Sequence, residues 1–233
     1  MRIPACLLPL LLIAVPPQAQ QADCEVALVM AMDVSRSVDA AEFDLIRHGT
    51  AEAFRNPDIG QLIARMDGGV LITVTQWSGA GQQRQMIPWR HVETVDDLRA
   101  LAGEIDAMKR AYRFELTAPG NALKHAAGLL ESMPRDCRRR IIDLAGDGVR
   151  NTGLPTGAVG EAIAARGITI NGLVVRGDTP DPLEFYRNEV RRGPLSFVEI
   201  SKGYEDFPRA ILLKLMRELS PSLSALPMKE ARG

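Results

Sequence analysis

A continuous apolar run, Val26-Ala27-Leu28-Val29-Met30-Ala31-Met32, ends in Asp33-Val34-Ser35-Arg36-Ser37. Seven apolar residues without alternation read as a strand buried on both faces, and such a strand needs covering layers above and below it. The helix that follows starts near Asp39, whose side chain forms a capping box with Glu42. The strand therefore delivers one carboxylate and two hydroxyls to a tight turn just ahead of a helix. Oxygen donors of that kind suit the hard cations Mg²⁺, Mn²⁺ and Ca²⁺. Taken alone, the same residues also read as an Asx- and Ser-rich turn that caps a helix.

Strand and helix patterns alternate along the rest of the chain. Apolar runs predict strands over about 25–33, 70–77, 139–146 and 168–175, with a short strand at 85–89 returning beside the second after a turn at 78–81, and another at 196–200. Helical periodicity covers about 39–56, ending at Asn56-Pro57, and about 206–219, with Phe207, Ile211, Leu215 and Leu219 on one face. Between these, Thr94 with Asp97 opens a helix, Pro119 starts one that runs to Ser132, Thr156 caps one through Ala165, and 182–192 is amphipathic. Alternation of this kind predicts an α/β domain with a mostly parallel sheet.

Two later elements give the first motif its context. Gly146-Asp147-Gly148 ends the apolar strand around Ile141–Ala145, and Thr117-Ala118-Pro119-Gly120 opens a helical pattern between the two strands. Asp-x-Ser-x-Ser after a buried strand, then a loop Thr, then an Asp after a later strand, resembles the von Willebrand factor type A (vWA) domain over roughly Glu25 to Leu219. The resemblance implies a doubly wound, mostly parallel six-stranded sheet with one short antiparallel edge strand and helices on both faces. It also implies a metal-ion-dependent adhesion site made by Asp33, Ser35, Ser37, Thr117 and Asp147. Mg²⁺ is the first choice of ion, with Mn²⁺ and Ca²⁺ as alternatives. Two carboxylates and three neutral hydroxyls leave a six-coordinate Mg²⁺ with a position open to solvent. In that family an acidic side chain of a partner protein often fills it.

Two residues depart from the pattern. Arg36 stands where a small residue is common; it either steers an acidic partner or lies in solvent. Gly146 stands where a Thr is frequent, which removes support near Asp147 but no ligand.

The fold implied by the resemblance also pairs the cysteines. Cys24 lies nine residues before Asp33 and Cys137 ten before Asp147, so parallel neighbouring strands would set both at the opposite end from the metal. A disulfide between them requires an oxidising compartment. The N-terminus supplies the route: Met1-Arg2, an apolar stretch over Ile3–Val15 and a Pro16-Pro17 break read as a signal peptide over residues 1–22. The mature chain, a vWA-like domain over 23–220 with a flexible tail over 221–233, is expected to be exported, periplasmic or extracellular, with no membrane span.

Composition narrows the function. At 233 residues and 46% hydrophobic content one domain can bury a sizeable core, and a net charge of −1 gives no footprint for nucleic acid. Ser35 stands where a haloacid dehalogenase phosphatase needs its second Asp, no Gly-x-Ser-x-Gly elbow is present, and Gly146-Asp147-Gly148 fails the dinucleotide fingerprint. His48, His91 and His125 lack metal-ligand spacing; Trp77 and Trp89 read as packing residues, and Asp143 as a charge inside the sheet or a strand offset. The leading expectation is a non-enzymatic protein-binding module that recognises its partner through the divalent cation. A metal-dependent hydrolase using Asp33 or Asp147, and a metal-free structural domain, are the alternatives.

Overall fold

Continuous burial puts β1, Cys24–Asp33, at the centre of the sheet: apart from Glu25, every residue in it is buried. The computed structural model describes residues 22–113 and 115–220. The expected signal segment lies outside these except for Ala22, and the expected tail lies outside them entirely. With β2 Val70–Trp77, β3 Gln83–Val92, β4 Cys137–Gly146, β5 Ile168–Val175 and β6 Val198–Ser201, the sheet has the order β3-β2-β1-β4-β5-β6. Every neighbouring pair is parallel except β2 with β3. This is the expected α/β architecture: a doubly wound six-stranded sheet with an antiparallel edge.

The helices are α1 Ala40–Arg55, α2 Pro57–Ile63, α3 Val95–Asp106, α4 Pro119–Glu131, α5 Thr156–Ala164, α6 Leu183–Phe185 and α7 Phe207–Leu219. Side chains alternate across a strand, so β1 feeds two cores. Val26, Leu28, Met30 and Met32 pack with α1, α2, α3 and α7, while Ala27, Val29 and Ala31 pack with α4, α5 and Tyr186. Two helices begin with complete capping boxes, Asp39 with Glu42 and Thr94 with Asp97. Trp77 is fully buried, with its indole N–H donating to the Ala31 carbonyl at 3.1 Å.

Several elements differ from expectation. The antiparallel edge strand is not short: β3 runs ten residues and pairs β2 from Trp77 back to Val70, with register irregularities near Ile72–Thr75. Only Ile87 and Val92 are buried in it, so its polar pattern concealed the length, and an edge strand tolerates Pro88. Asn56-Pro57 ends α1, yet the Asn56 side chain then accepts from the Asp58 N–H at 2.8 Å, with Pro57 at the first helical position, and α2 begins. Residues 182–192 are not one helix: the single turn α6 passes into a π-helical turn, Tyr186–Val190. Thr156 is the first residue of α5 rather than its cap, which is Pro155.

Cys24 and Cys137 are partners in the β1–β4 register and form a disulfide, with Cα atoms 4.5 Å apart and 113 residues of separation. In the chain-entropy model, closing a loop of that length contributes roughly 4–5 kcal/mol. Asp143 sits mid-strand and faces a charge. Lys214 of α7, completely buried, reaches its carboxylate at 2.7 Å and also contacts Glu218, which accepts from Asn171 Nδ2 at 2.8 Å. Burial raises the Asp143 carboxyl above its usual range and lifts Glu218 to about 7, with Lys214 pulling both back down.

Candidate metal centre

Strand order leaves β1 in opposite directions, toward β2 on one side and β4 on the other, so the crevice at their carboxyl ends is where an open α/β sheet gathers ligands. Asp33 is the last residue of β1, and Asp147 directly follows β4. The Val34 N–H extends the ladder by donating to the Trp77 carbonyl at 2.9 Å. The Ser35 N–H then turns back onto Asp33 Oδ1 at 2.7 Å, an Asx turn that aims the next hydroxyls inward.

The five residues singled out in the sequence stand together. Thr117 Oγ1 donates to Ser35 Oγ at 3.3 Å, Ser35 and Ser37 hydroxyls are 3.3 Å apart, and Ser37 Oγ donates to Asp147 Oδ1 at 2.9 Å. Asp33 joins through the Ser35 backbone. Asp33, Ser35, Thr117 and Asp147 are buried, whereas Ser37 is exposed, so the cluster opens to solvent on one side.

Three loops are tied together around it. The Arg36 N–H donates to the Glu115 carbonyl at 3.0 Å, and the Thr117 N–H donates to Asn151 Oδ1 at 2.8 Å. Arg110 fastens the Asp-x-Ser-x-Ser turn from outside, with its guanidinium donating to the carbonyls of Val34 at 3.1 Å, Ser35 at 2.9 Å and Tyr112 at 2.8 Å. Sequence reasoning missed Arg110 and Asn151, because a side chain bonded to backbone two loops away leaves no local pattern. It also missed Tyr186 and Tyr204, whose hydroxyls are buried near the two aspartates: that of Tyr186 has no hydrogen-bond partner among the described residues, and that of Tyr204 faces Asp147 and draws its carboxyl downward by hydrogen bonding.

The electrostatics are unbalanced. Burial, then the neighbouring Asp147 charge, holds the Asp33 carboxyl well above its usual range, against the pull of the Ser35 N–H and Arg110. Burial likewise raises Asp147. Asp33 Oδ2 is buried without a partner. Among the described residues no three or more His, Cys, Asp or Glu cluster as metal donors, so any cation here relies on hydroxyls beside two carboxylates. Two carboxylates that disfavour each other's charge, three hard hydroxyls and an orphaned buried carboxylate oxygen fit a divalent cation.

Two depressions meet at Arg36. A crevice of about 400 Å³ lies over Ser37, Thr117, Gly148 and Asp178. A groove of about 840 Å³ runs beside it, floored by Val38 and Phe43, with Lys109, Arg110 and Arg113 on its edge and Asp39, Asp44 and Asp106 also in its lining. Arg36, Lys109 and Arg113 are exposed and make no ion pair among the described residues.

A family model described as "Protein of unknown function (DUF1194)" matches residues 23–223. No curated protein matches by sequence. Among solved structures, proximal thread matrix protein 1 from the mussel byssus, with a zinc-occupied MIDAS motif, superposes with a TM-score of 0.61 at 16% identity over 85% of this chain and 47% of its own. The PilB minor pilin from Streptococcus sanguinis gives 0.63 at 12%, covering 87% and 64%. A von Willebrand factor type A protein from Catenulispora acidiphila gives 0.54 at 16%, covering 84% and 43%. The chain thus spans about half the length of the mussel protein, and the likeness shows the vWA-type fold.

Proposed function

The chain belongs to the DUF1194 family, and from that premise we propose that it is an exported protein-binding module that recognises an acidic group of its partner through a divalent cation. The cation is held by Asp33, Ser35, Ser37, Thr117 and Asp147. The observation that carries this reading is the partnerless, buried Oδ2 of Asp33 beside a second buried carboxylate, in a cluster that opens to solvent at Ser37. A bound cation supplies Lewis acidity toward an incoming carboxylate.

The chain's own residues do the rest. Ser35 and Thr117 fix the hydroxyl chain, Arg110 and Asn151 hold the loops that carry it, and Arg36 stands where the crevice meets the groove. Arg36, Lys109 and Arg113, exposed and without an ion pair among the described residues, draw an acidic partner toward the opening, an effect that weakens with salt. Mg²⁺ suits the all-oxygen set best, with Mn²⁺ or Ca²⁺ as substitutes. The Cys24–Cys137 disulfide supports a location outside the reducing cytoplasm, and among the described residues no helix is long and apolar enough to cross a membrane.

The test has two arms. Mg²⁺ titration followed by calorimetry and thermal melting is expected to show saturable binding and stabilisation that Asp33→Ala abolishes. Capture of a partner from native extract is expected to be lost with chelator and lost equally with Asp33→Ala. Binding that ignores both chelator and the substitution would remove the cation from the account.

A further inference from the structure

Tyr186 is a large aromatic residue carried on the π-helical turn, fully buried, with a hydroxyl that has no hydrogen-bond partner among the described residues. Burying a phenolic O–H without a partner is costly, and π turns recur at functional sites. The fold makes room for this ring by two absences. A Cβ on Gly172 of β5 would lie 2.7 Å from Tyr186 Cδ1. A Cβ on Gly146 of β4 would lie 2.7 Å from the Tyr186 hydroxyl and 2.8 Å from Asp33 Oδ2.

The two glycines do different things. Gly172 admits the body of the ring, whereas Gly146 leaves one small space onto which two unsatisfied buried oxygens both face. Both oxygens lie within a hydrogen-bond length of one point, so they are no more than about 5.5 Å apart. That span is closed by a small side-chain shift or by one bridging water. One group is a donor in search of an acceptor; the other is a carboxylate oxygen that accepts only.

We infer that Tyr186 is a positioning residue for the cation site, its hydroxyl donating directly or through one water to Asp33 Oδ2 and fixing the carboxylate that helps hold the metal. The inference rests on the reading of the five-residue cluster as a cation site. It also gives Gly146 a reason: a side chain there would displace both oxygens. Support for Asp33 comes from across the sheet, through a phenol that β4 and β5 are shaped to receive. Partners of this kind orient a ligand and tune the ion without touching it.

The test is Tyr186→Phe in the full chain, measured by Mg²⁺ and Mn²⁺ titration calorimetry and by melting in chelator. A residue that only fills the core would leave metal affinity unchanged, since phenylalanine keeps the ring. The expected result is a loss of metal affinity of about 10–100-fold, with the chelated protein melting only slightly lower, since phenylalanine keeps the ring and only the hydrogen bond to Asp33 Oδ2 is lost. If that variant does not fold, Gly172→Ala, which pushes the ring and keeps the hydroxyl, is expected to weaken Mg²⁺ binding in its place. Wild-type affinity in whichever variant folds overturns the role of Tyr186 while leaving the site intact. Failure of the wild-type protein to bind Mg²⁺ or Mn²⁺ overturns the site itself, so the two failures are distinct.

Discussion

Strand β4 and the residue directly after it place two buried carboxylates four residues apart, and they meet opposite fates. Asp143, inside the sheet, is answered by Lys214 of α7, and with Glu218 and Asn171 it forms a closed cluster. Asp147, just past the strand end, faces Asp33 with three hydroxyls around and no basic side chain hydrogen-bonded to either carboxylate among the described residues. Arg110, whose charge draws the Asp33 carboxyl downward, uses its donors on backbone carbonyls. Both clusters are desolvated, and desolvation raises their carboxyl groups in the same direction. Where the protein needs only stability it supplies its own counter-charge. The cluster with no basic side chain hydrogen-bonded to its carboxylates among the described residues, the proposed cation site, is the one that opens to solvent.

The largest effect should come from breaking the closed cluster. Lys214→Met keeps the volume and removes the cation, leaving Asp143 and Glu218 buried without it; a loss of about 3–5 kcal/mol is expected by denaturant unfolding. Mg²⁺ should not restore it, because the proposed cation site is the other cluster. A loss under 1 kcal/mol would show that Lys214 is not the partner the geometry suggests.

Filling the open cluster should act the other way. At free Mg²⁺ about a hundredfold above its dissociation constant, the wild-type protein is expected to gain about 2.7 kcal/mol, and Lys214→Met should show the same increment if the clusters are independent.

A smaller effect separates them by pH. Glu218 titrates near 7 in the folded protein against an ordinary value of 4.5, so between those values the folded state holds the extra proton. Stability from this group is fully present below about 4.5 and is lost as pH rises through about 7, a loss on the order of 1–3 kcal/mol. Glu218→Gln should flatten the fall in melting temperature between pH 5 and 8. An unchanged slope would assign the pH dependence elsewhere.

Ser37→Ala, at the solvent edge of the open cluster, should weaken Mg²⁺ by about tenfold, near 1.4 kcal/mol, while barely changing the metal-free melting temperature.

Most of the fold could be read from the chain because it rests on local patterns, whereas the grouping of the five residues came from the resemblance of their order along the chain to the vWA domain. Continuous apolar runs mark the central strands, paired capping residues mark α1 and α3, and Asp-x-Ser-x-Ser follows its strand directly. What stayed hidden depends on partners distant in sequence. Lys214 and Glu218 look like the solvated face of an amphipathic helix until α7 is laid on the sheet over Asp143. The π-helical turn has no period of its own, so 182–192 reads as a plain amphipathic helix and nothing singles out Tyr186. Gly146 reads as a missing hydroxyl, and only the packed structure shows that Asp33 and Tyr186 use the space.

The central claim is that Asp33 and Asp147 lack a counter-charge that a divalent cation provides. Mg²⁺ titration of the wild-type protein beside Asp33→Ala and Asp147→Ala, by calorimetry on chelator-treated samples, tests it most directly. The account predicts one saturable site in the wild type and none in either variant. Equal binding in all three, or no binding in the wild type at millimolar Mg²⁺, would contradict it.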